Sequence, residues 1–205
     1  MKKIIIAISL LILMSIPVIA DDNEQDYSTI KGDYKIICLG DTKDVVMNKI
    51  KYLKKQKEMT ENPFGYTVKI LDTTCRVRFN YYNNRLQQIN IILVKFYYID
   101  DFNNTMRNFI ENQLNPMFED LYGEPTTNYN YPNILECTNG YITYIAIWDI
   151  DKKIIKTGIG ESRMGSGKIV YQPIITISDK EITNAQQQEE NDSQSDMINN
   201  AKKDF

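Results

Sequence analysis

Between Tyr34 and Ser178 the apolar residues alternate between two spacings, one helical and one extended. Tyr34–Leu39 (YKIICL) is a short apolar run that predicts a strand, and Gly40 breaks it. Asp41 or Thr42 can then cap a helix, since either side-chain oxygen accepts an orphan backbone N–H. Val46, Ile50 and Leu53 recur at helical spacing, with Val45 beside them. Lys49, Lys51, Lys54, Lys55 and Lys57 are expected on the wet side, and Asn62-Pro63-Phe64-Gly65 is expected to stop the helix. Strands follow at Tyr66–Leu71, Cys75–Tyr82 and Leu86–Phe96. Asp72-Thr73-Thr74 predicts the first turn. Asn83-Asn84 predicts the second, because asparagine tolerates the positive φ of a tight hairpin.

A second helix is predicted from Asp100 or Asp101, with Phe102, Met106, Phe109, Ile110, Leu114, Phe118 and Leu121 as its buried stripe. Pro116 must kink or split it, having no backbone donor. Gly123, with Pro125 just beyond, ends it. A meander is expected afterwards, with strands near 133–138, 141–149, 153–159 and 168–178. Its turns fall at Asn139-Gly140, Asp149 to Lys152 and Gly160 to Gly167. The predicted class is α+β: two helices packed on one face of an antiparallel sheet, as tandem units over about 33–98 and 99–178.

The two ends have different compositions. Residues 1–20 carry Lys2 and Lys3, then an uncharged apolar run from Ile4 to Ile16, Pro17, and Val18 and Ala20 before Asp21 and Asp22. That is the layout of a cleavable signal peptide, so export to the periplasm or beyond the cell is expected. No later stretch is long and apolar enough for a membrane helix. Residues 21–32 are expected to be loose. Residues 179–205 hold seven acids and three bases around NAQQQEENDSQSD, which predicts a disordered acidic tail. The domain is thus 33–178.

The formal charge is −3, and loss of Lys2 and Lys3 would make it −5. Much of the excess sits in the tail, and no basic stripe of the kind that holds nucleic acid is visible. The chain has no histidine. This excludes Ser-His-Asp and Cys-His nucleophile pairs and histidine zinc ligands. Cys38, Cys75 and Cys137 lack the close spacing of a metal site, and nothing calls for a cofactor. In an oxidising compartment one pair could bridge; three pairings are open, Cys38 with Cys75 is preferred, and three reduced thiols is the competing reading. Gly160 to Lys168 departs from the phosphate-loop pattern at Ser162 and Ile169 and reads as a hairpin tip. The enzyme class this inventory allows most easily is a hydrolase with paired carboxylates, the candidates being Asp149, Asp151, Glu136 and Glu161.

Leu39-Gly40-Asp41-Thr42 followed by Val45 or Val46 resembles the helix start of the small outer-membrane lipoproteins of the SmpA/OmlA (BamE) type. The repeated helix-then-meander order is similar to the β-lactamase inhibitor protein, a tandem of such modules. The motif covers about ten residues. The chain lacks the cysteine after the signal that would carry a lipid, so membrane attachment does not carry over. The resemblance implies a non-catalytic module that binds a protein partner in the cell envelope.

Tyr, Trp and Arg are enriched at recognition surfaces because they bury much area with few rotors. If Val77, Phe79 and Tyr81 face the core, Arg76, Arg78 and Tyr82 face outward. In the strand near 141–149, alternation puts Tyr144 and Trp148 on one face. Arg76, Arg78, Tyr82, Tyr144 and Trp148 are therefore the candidate partner-binding residues; the competing reading makes Trp148 a core anchor.

Overall fold

The computed structural model describes residues 26–203; the expected signal peptide, 1–20, lies outside the described residues. Helix α1 (Lys43–Lys55) precedes four strands, β1 (Thr60–Asn62), β2 (Gly65–Ile70), β3 (Thr73–Tyr82) and β4 (Arg85–Leu93). A second helix, α2, occupies 99–122. Four more strands follow: β5 (Thr127–Asn128), β6 (Ile142–Ile150), β7 (Lys153–Arg163) and β8 (Ile169–Asp179). Helix α3 (Lys180–Lys203) closes the chain. All eight strands form one antiparallel sheet in the order β1-β2-β3-β4-β8-β7-β6-β5. Each half is thus a helix followed by a four-strand meander, and the last strand of one meander pairs with the last strand of the other.

The core lies on one face of this sheet. Val77, Ile89, Ile91, Ile155, Ile175 and Ile177 meet Val46, Ile50 and Leu53 of α1 and Phe102, Met106, Ile110 and Leu114 of α2 in a single buried cluster. Alternation along β3 and β4 produces this directly, because residues two apart share a face.

The predicted strand Tyr34–Leu39 is instead a tight turn. Tyr34 and Ile37 exchange both backbone hydrogen bonds (3.1 and 2.9 Å) around Lys35, whose φ is 54°. Ile36 and Ile37 still enter the core. An apolar run this short records burial without fixing backbone shape. The predicted strand near 133–138 is a 3₁₀ turn, Ile134–Glu136. Asn133 and Glu136 cap it reciprocally: the Asn133 side chain accepts from the Leu135 N–H (3.1 Å) and the Glu136 carboxylate from the Asn133 N–H (2.8 Å). Asn139-Gly140 does form a turn, with Gly140 at φ 84°, but it joins no strand pair.

Helix α1 starts without the expected cap. Thr42 is the N-cap residue but makes no side-chain cap bond. The helix ends at Lys55, before Asn62-Pro63-Phe64-Gly65, which forms the β1–β2 turn. Lys57 takes the left-handed conformation (φ 60°), its N–H bonds the Lys54 carbonyl and that of Glu58 bonds Leu53. This is a Schellman stop built without glycine. Lys49, expected on the wet side, is only 4% exposed.

In α2 the buried stripe is as predicted from Phe102 to Phe118, but Leu121 is 64% exposed. Tyr122 stacks on Phe118 instead (centroids 6.2 Å). Pro116 does not split the helix. Two wider π-helical turns, Phe102–Met106 and Ile110–Leu114, precede it, and Pro116 falls at the start of the last α-helical segment, Asn115–Tyr122. There its missing N–H costs little.

Structural elements continue beyond 33–178 at both ends. Within 21–32, Tyr27 is buried edge-on against Tyr52 (centroids 5.5 Å). The tail expected to be disordered, 179–205, is helical over Lys180–Lys203. Gln, Glu and Ala are good helix formers. Asp179 caps the helix through the Ile182 N–H (2.9 Å), and Lys180 pairs with Asp149.

Candidate functional site

The face of the sheet away from α1 and α2 carries the candidate residues. Strand register places them in two cross-sheet rows. The first runs Thr67, Arg76, Ile92, Ile174, Gly158, Tyr144; the second runs Arg78, Asn90, Thr176, Lys156, Ile147. Paired residues of an antiparallel sheet share a face, so the side chains in each row stand together.

Trp148 is not among them. A bulge in β6 between Tyr144 and Ala146 puts one extra residue into the strand. An inserted residue reverses which side every later side chain takes. Tyr144 therefore stays on the open face, while Trp148 turns to the core at 1% exposure, against Phe118 (centroids 5.4 Å). Its indole N–H donates to the Gly123 carbonyl at 2.9 Å, tying β6 to the end of α2. Ile147 takes the open-face position instead.

The row geometry depends on Gly158. A Cβ there would stand 2.6 Å from the Thr143 carbonyl oxygen, so only glycine allows the bulged strand this close. Tyr144 is half-buried on the open face, and burial pushes its phenol up from its usual pKa. The Lys156 ammonium sits 4.6 Å from the Tyr144 ring centroid, a cation–π contact. Beside this cluster runs a polar ladder. The Thr176 hydroxyl donates to Asn90 (3.1 Å), Asn90 and Asn80 donate to the Gln88 side-chain oxygen (3.0 and 2.9 Å), and Gln88 donates to Ser178 (3.1 Å).

Arg76 and Arg78 are two residues apart on β3. Among the described residues no carboxylate lies within ion-pair reach of either. The Arg76 guanidinium is 5.8 Å from the Phe64 ring centroid, and its Nε is buried without a hydrogen-bond partner. Lys69 and Lys156 occupy the same face. The acid there, Asp149, is neutralised by Lys180. A chain with net charge −3 thus carries a cationic face. Tyr82 borders that face, and its hydroxyl is already bonded to Glu189 of α3, next to a Gln87–Gln186 contact (2.5 Å).

The other candidates fall elsewhere. Cys38, Cys75 and Cys137 are free thiols, so the preferred Cys38–Cys75 bridge is not formed. Cys75 points into the core under β3, its thiol donating to the Thr73 carbonyl, while Cys38 sits beside the Lys49 ammonium (3.5 Å). Of the carboxylates weighed for hydrolysis, Asp149 is paired with Lys180 and Asp151 sits in the β6–β7 turn at φ 42°. Glu136 caps its 3₁₀ turn, and Glu161 lies opposite Tyr171 in the β7–β8 ladder. Among the described residues no group of three Cys, Asp or Glu could hold a metal ion, and no helix is long and apolar enough to cross a membrane.

Sequence reasoning missed Lys156, Asn90 and Thr176, because their rows exist only once β8 is inserted between β4 and β7. Compared with protein-family models, with curated proteins and with solved structures, the chain matches none.

Proposed function

We propose that the protein is an exported, non-catalytic binding module that holds a protein partner in the cell envelope through its open sheet face. The observation that carries this reading is the pair Arg76 and Arg78, unpaired on a face that also displays Tyr144 and Lys156. Side chains of these types bury large areas at low entropic cost and dominate recognition surfaces. The apolar leader at 1–20 supports export, and the SmpA/OmlA (BamE)-like helix start supports an envelope role.

The test is a paired comparison. The wild type and an Arg78→Glu/Tyr144→Ala variant are each cross-linked to partners in the protein's own envelope. Arg78 is exposed and Tyr144 half-buried, so the fold of the variant is checked by Trp148 fluorescence and melting, and Arg78→Glu alone serves if the double change is destabilising. A cross-linked species lost only in the variant supports the reading. Identical products from both proteins reject it.

A further inference from the structure

We infer that the open face takes an extended acidic peptide segment lying along β3, with carboxylates two residues apart on Arg76 and Arg78. This rests on the binding-module reading and names the chemistry of its partner.

The first ground is charge. Lys69, Arg76, Arg78 and Lys156 share the face, and its acid, Asp149, is already neutralised by Lys180. The face is therefore net cationic where the chain as a whole is acidic, with Glu189 at its border. The second ground is that, among the described residues, no carboxylate lies within ion-pair reach of Arg76 or Arg78. A carboxylate from outside meets the exposed Arg78 and the part-exposed Arg76 as a guanidinium–carboxylate pair, among the stronger hydrogen-bonded contacts.

The third ground is spacing. Residues i and i+2 of a strand are about 7 Å apart. Arg76 and Arg78 have that spacing, and so do alternate side chains of an extended ligand. An acid-x-acid segment parallel or antiparallel to β3 therefore meets both guanidinium groups at once. Ile92 and Ile174, next in the Arg76 row, offer an apolar floor to a neighbouring ligand side chain. The fourth ground is that the chain already brings a carboxylate to the border of this face: Glu189 of α3 is bonded to the Tyr82 hydroxyl.

The probe is a fluorescein-labelled octapeptide alternating glutamate with valine, with a glutamine-for-glutamate twin as control. Anisotropy titrations use the full mature chain, Arg78→Gln, Arg76→Gln/Arg78→Gln, and Lys57→Gln as a charge control off this face. Binding of the glutamate peptide should weaken at least tenfold in the double variant and several-fold in Arg78→Gln. It should be unchanged in Lys57→Gln and fall steeply between 50 and 300 mM salt. The twin should not bind. Arg78→Gln keeps the test informative if the double variant fails to fold.

Equal binding of the twin would overturn the proposal, since recognition would then be apolar. So would an unchanged titration in Arg78→Gln. Stronger binding of a sulfated oligosaccharide or an oligonucleotide of equal charge would also overturn it, in favour of a general polyanion site. If the octapeptide fails while cross-linking still depends on Arg78 and Tyr144, the surface stands and the acidic occupant is rejected. If both fail, the binding-module reading falls as well.

Discussion

Lys49 turns inward from α1 and sets its ammonium 2.7 Å from the Asp41 carboxylate, with the lysine side chain 5% exposed and the aspartate 16%. The same Asp41 oxygen accepts the Cys38 N–H at 2.9 Å. Asp41 therefore closes the turn before the helix and leaves the helix start uncapped by a side chain. Removing one member of a buried pair strands the other charge. Lys49→Met should cost about 3 kcal/mol in urea unfolding, and Asp41→Asn/Lys49→Met less than the sum of its single changes. Additive costs would show that the two groups are not coupled.

Trp148 is held by packing and by one hydrogen bond. Trp148→Phe keeps most of the apolar volume but leaves the Gly123 carbonyl without its donor, so a loss of about 1–2 kcal/mol is expected. Trp148→Ala should cost about 3–5 kcal/mol. Thermal unfolding followed by circular dichroism distinguishes the two. Similar costs would mean that the indole N–H, and not the ring, carries the contribution.

The three thiols should differ in reactivity. Burial raises the pKa of Cys75 to about 11 and also raises that of Cys137. Cys38 is part-exposed beside the Lys49 ammonium (3.5 Å), so reagent can reach it in the folded state. In native buffer a chromogenic disulfide should label Cys38 rapidly and the other two only on unfolding. Fast labelling of all three, or of none, would contradict this placement.

The Cys75 thiol also makes stability depend on pH. Its pKa lies near 9.0 in an unfolded chain and is raised to about 11 by burial in the fold. The unfolded state then loses its proton first. The contribution is complete below the unfolded value and disappears as pH rises through the folded one. Unfolding free energy should fall by up to about 2 kcal/mol between these limits. Cys75→Val should remove the first part of that decline, leaving the loss due to buried tyrosines such as Tyr81, which is pushed up to about 12.

Gly158→Ala tests the bulged strand. The added methyl would meet the Thr143 carbonyl oxygen at 2.6 Å, so backbone must move. A loss of about 1–3 kcal/mol is expected, with a shift of the Tyr144 fluorescence environment. An unchanged melting curve would mean that β6 and β7 are not held so close.

Much of this fold was legible because local chemistry and burial agree. Asn83 and Asn84 both adopt positive φ (47° and 61°), as the two-residue turn requires, and Val77 alternates inward as its neighbours predict. Other features depend on information spread through three dimensions. The β6 bulge that separates Tyr144 from Trp148 leaves no mark in the run Tyr144-Ile145-Ala146-Ile147-Trp148, which has no polar residue to show which side faces the core. The turn at Tyr34–Ile37 reads like a strand because its isoleucines are buried for tertiary reasons. Lys57 ends α1 in a conformation usually given to glycine. At the candidate site, Arg76, Arg78 and Tyr144 were readable from alternation and residue type. Lys156 and Thr176 were not, since their neighbours are fixed by which strands pair and not by proximity in sequence.

The pairing of β4 with β8 has a further bearing on how the chain is made. Ile89 and Ile91 find their neighbours Ile177 and Ile175 almost ninety residues later. Until that distant segment emerges, the first meander displays an open, sticky margin able to recruit another chain. Maturation is consequently a late, single event, and a chain cut short before residue 169 should clump instead of surviving as a half-sized domain.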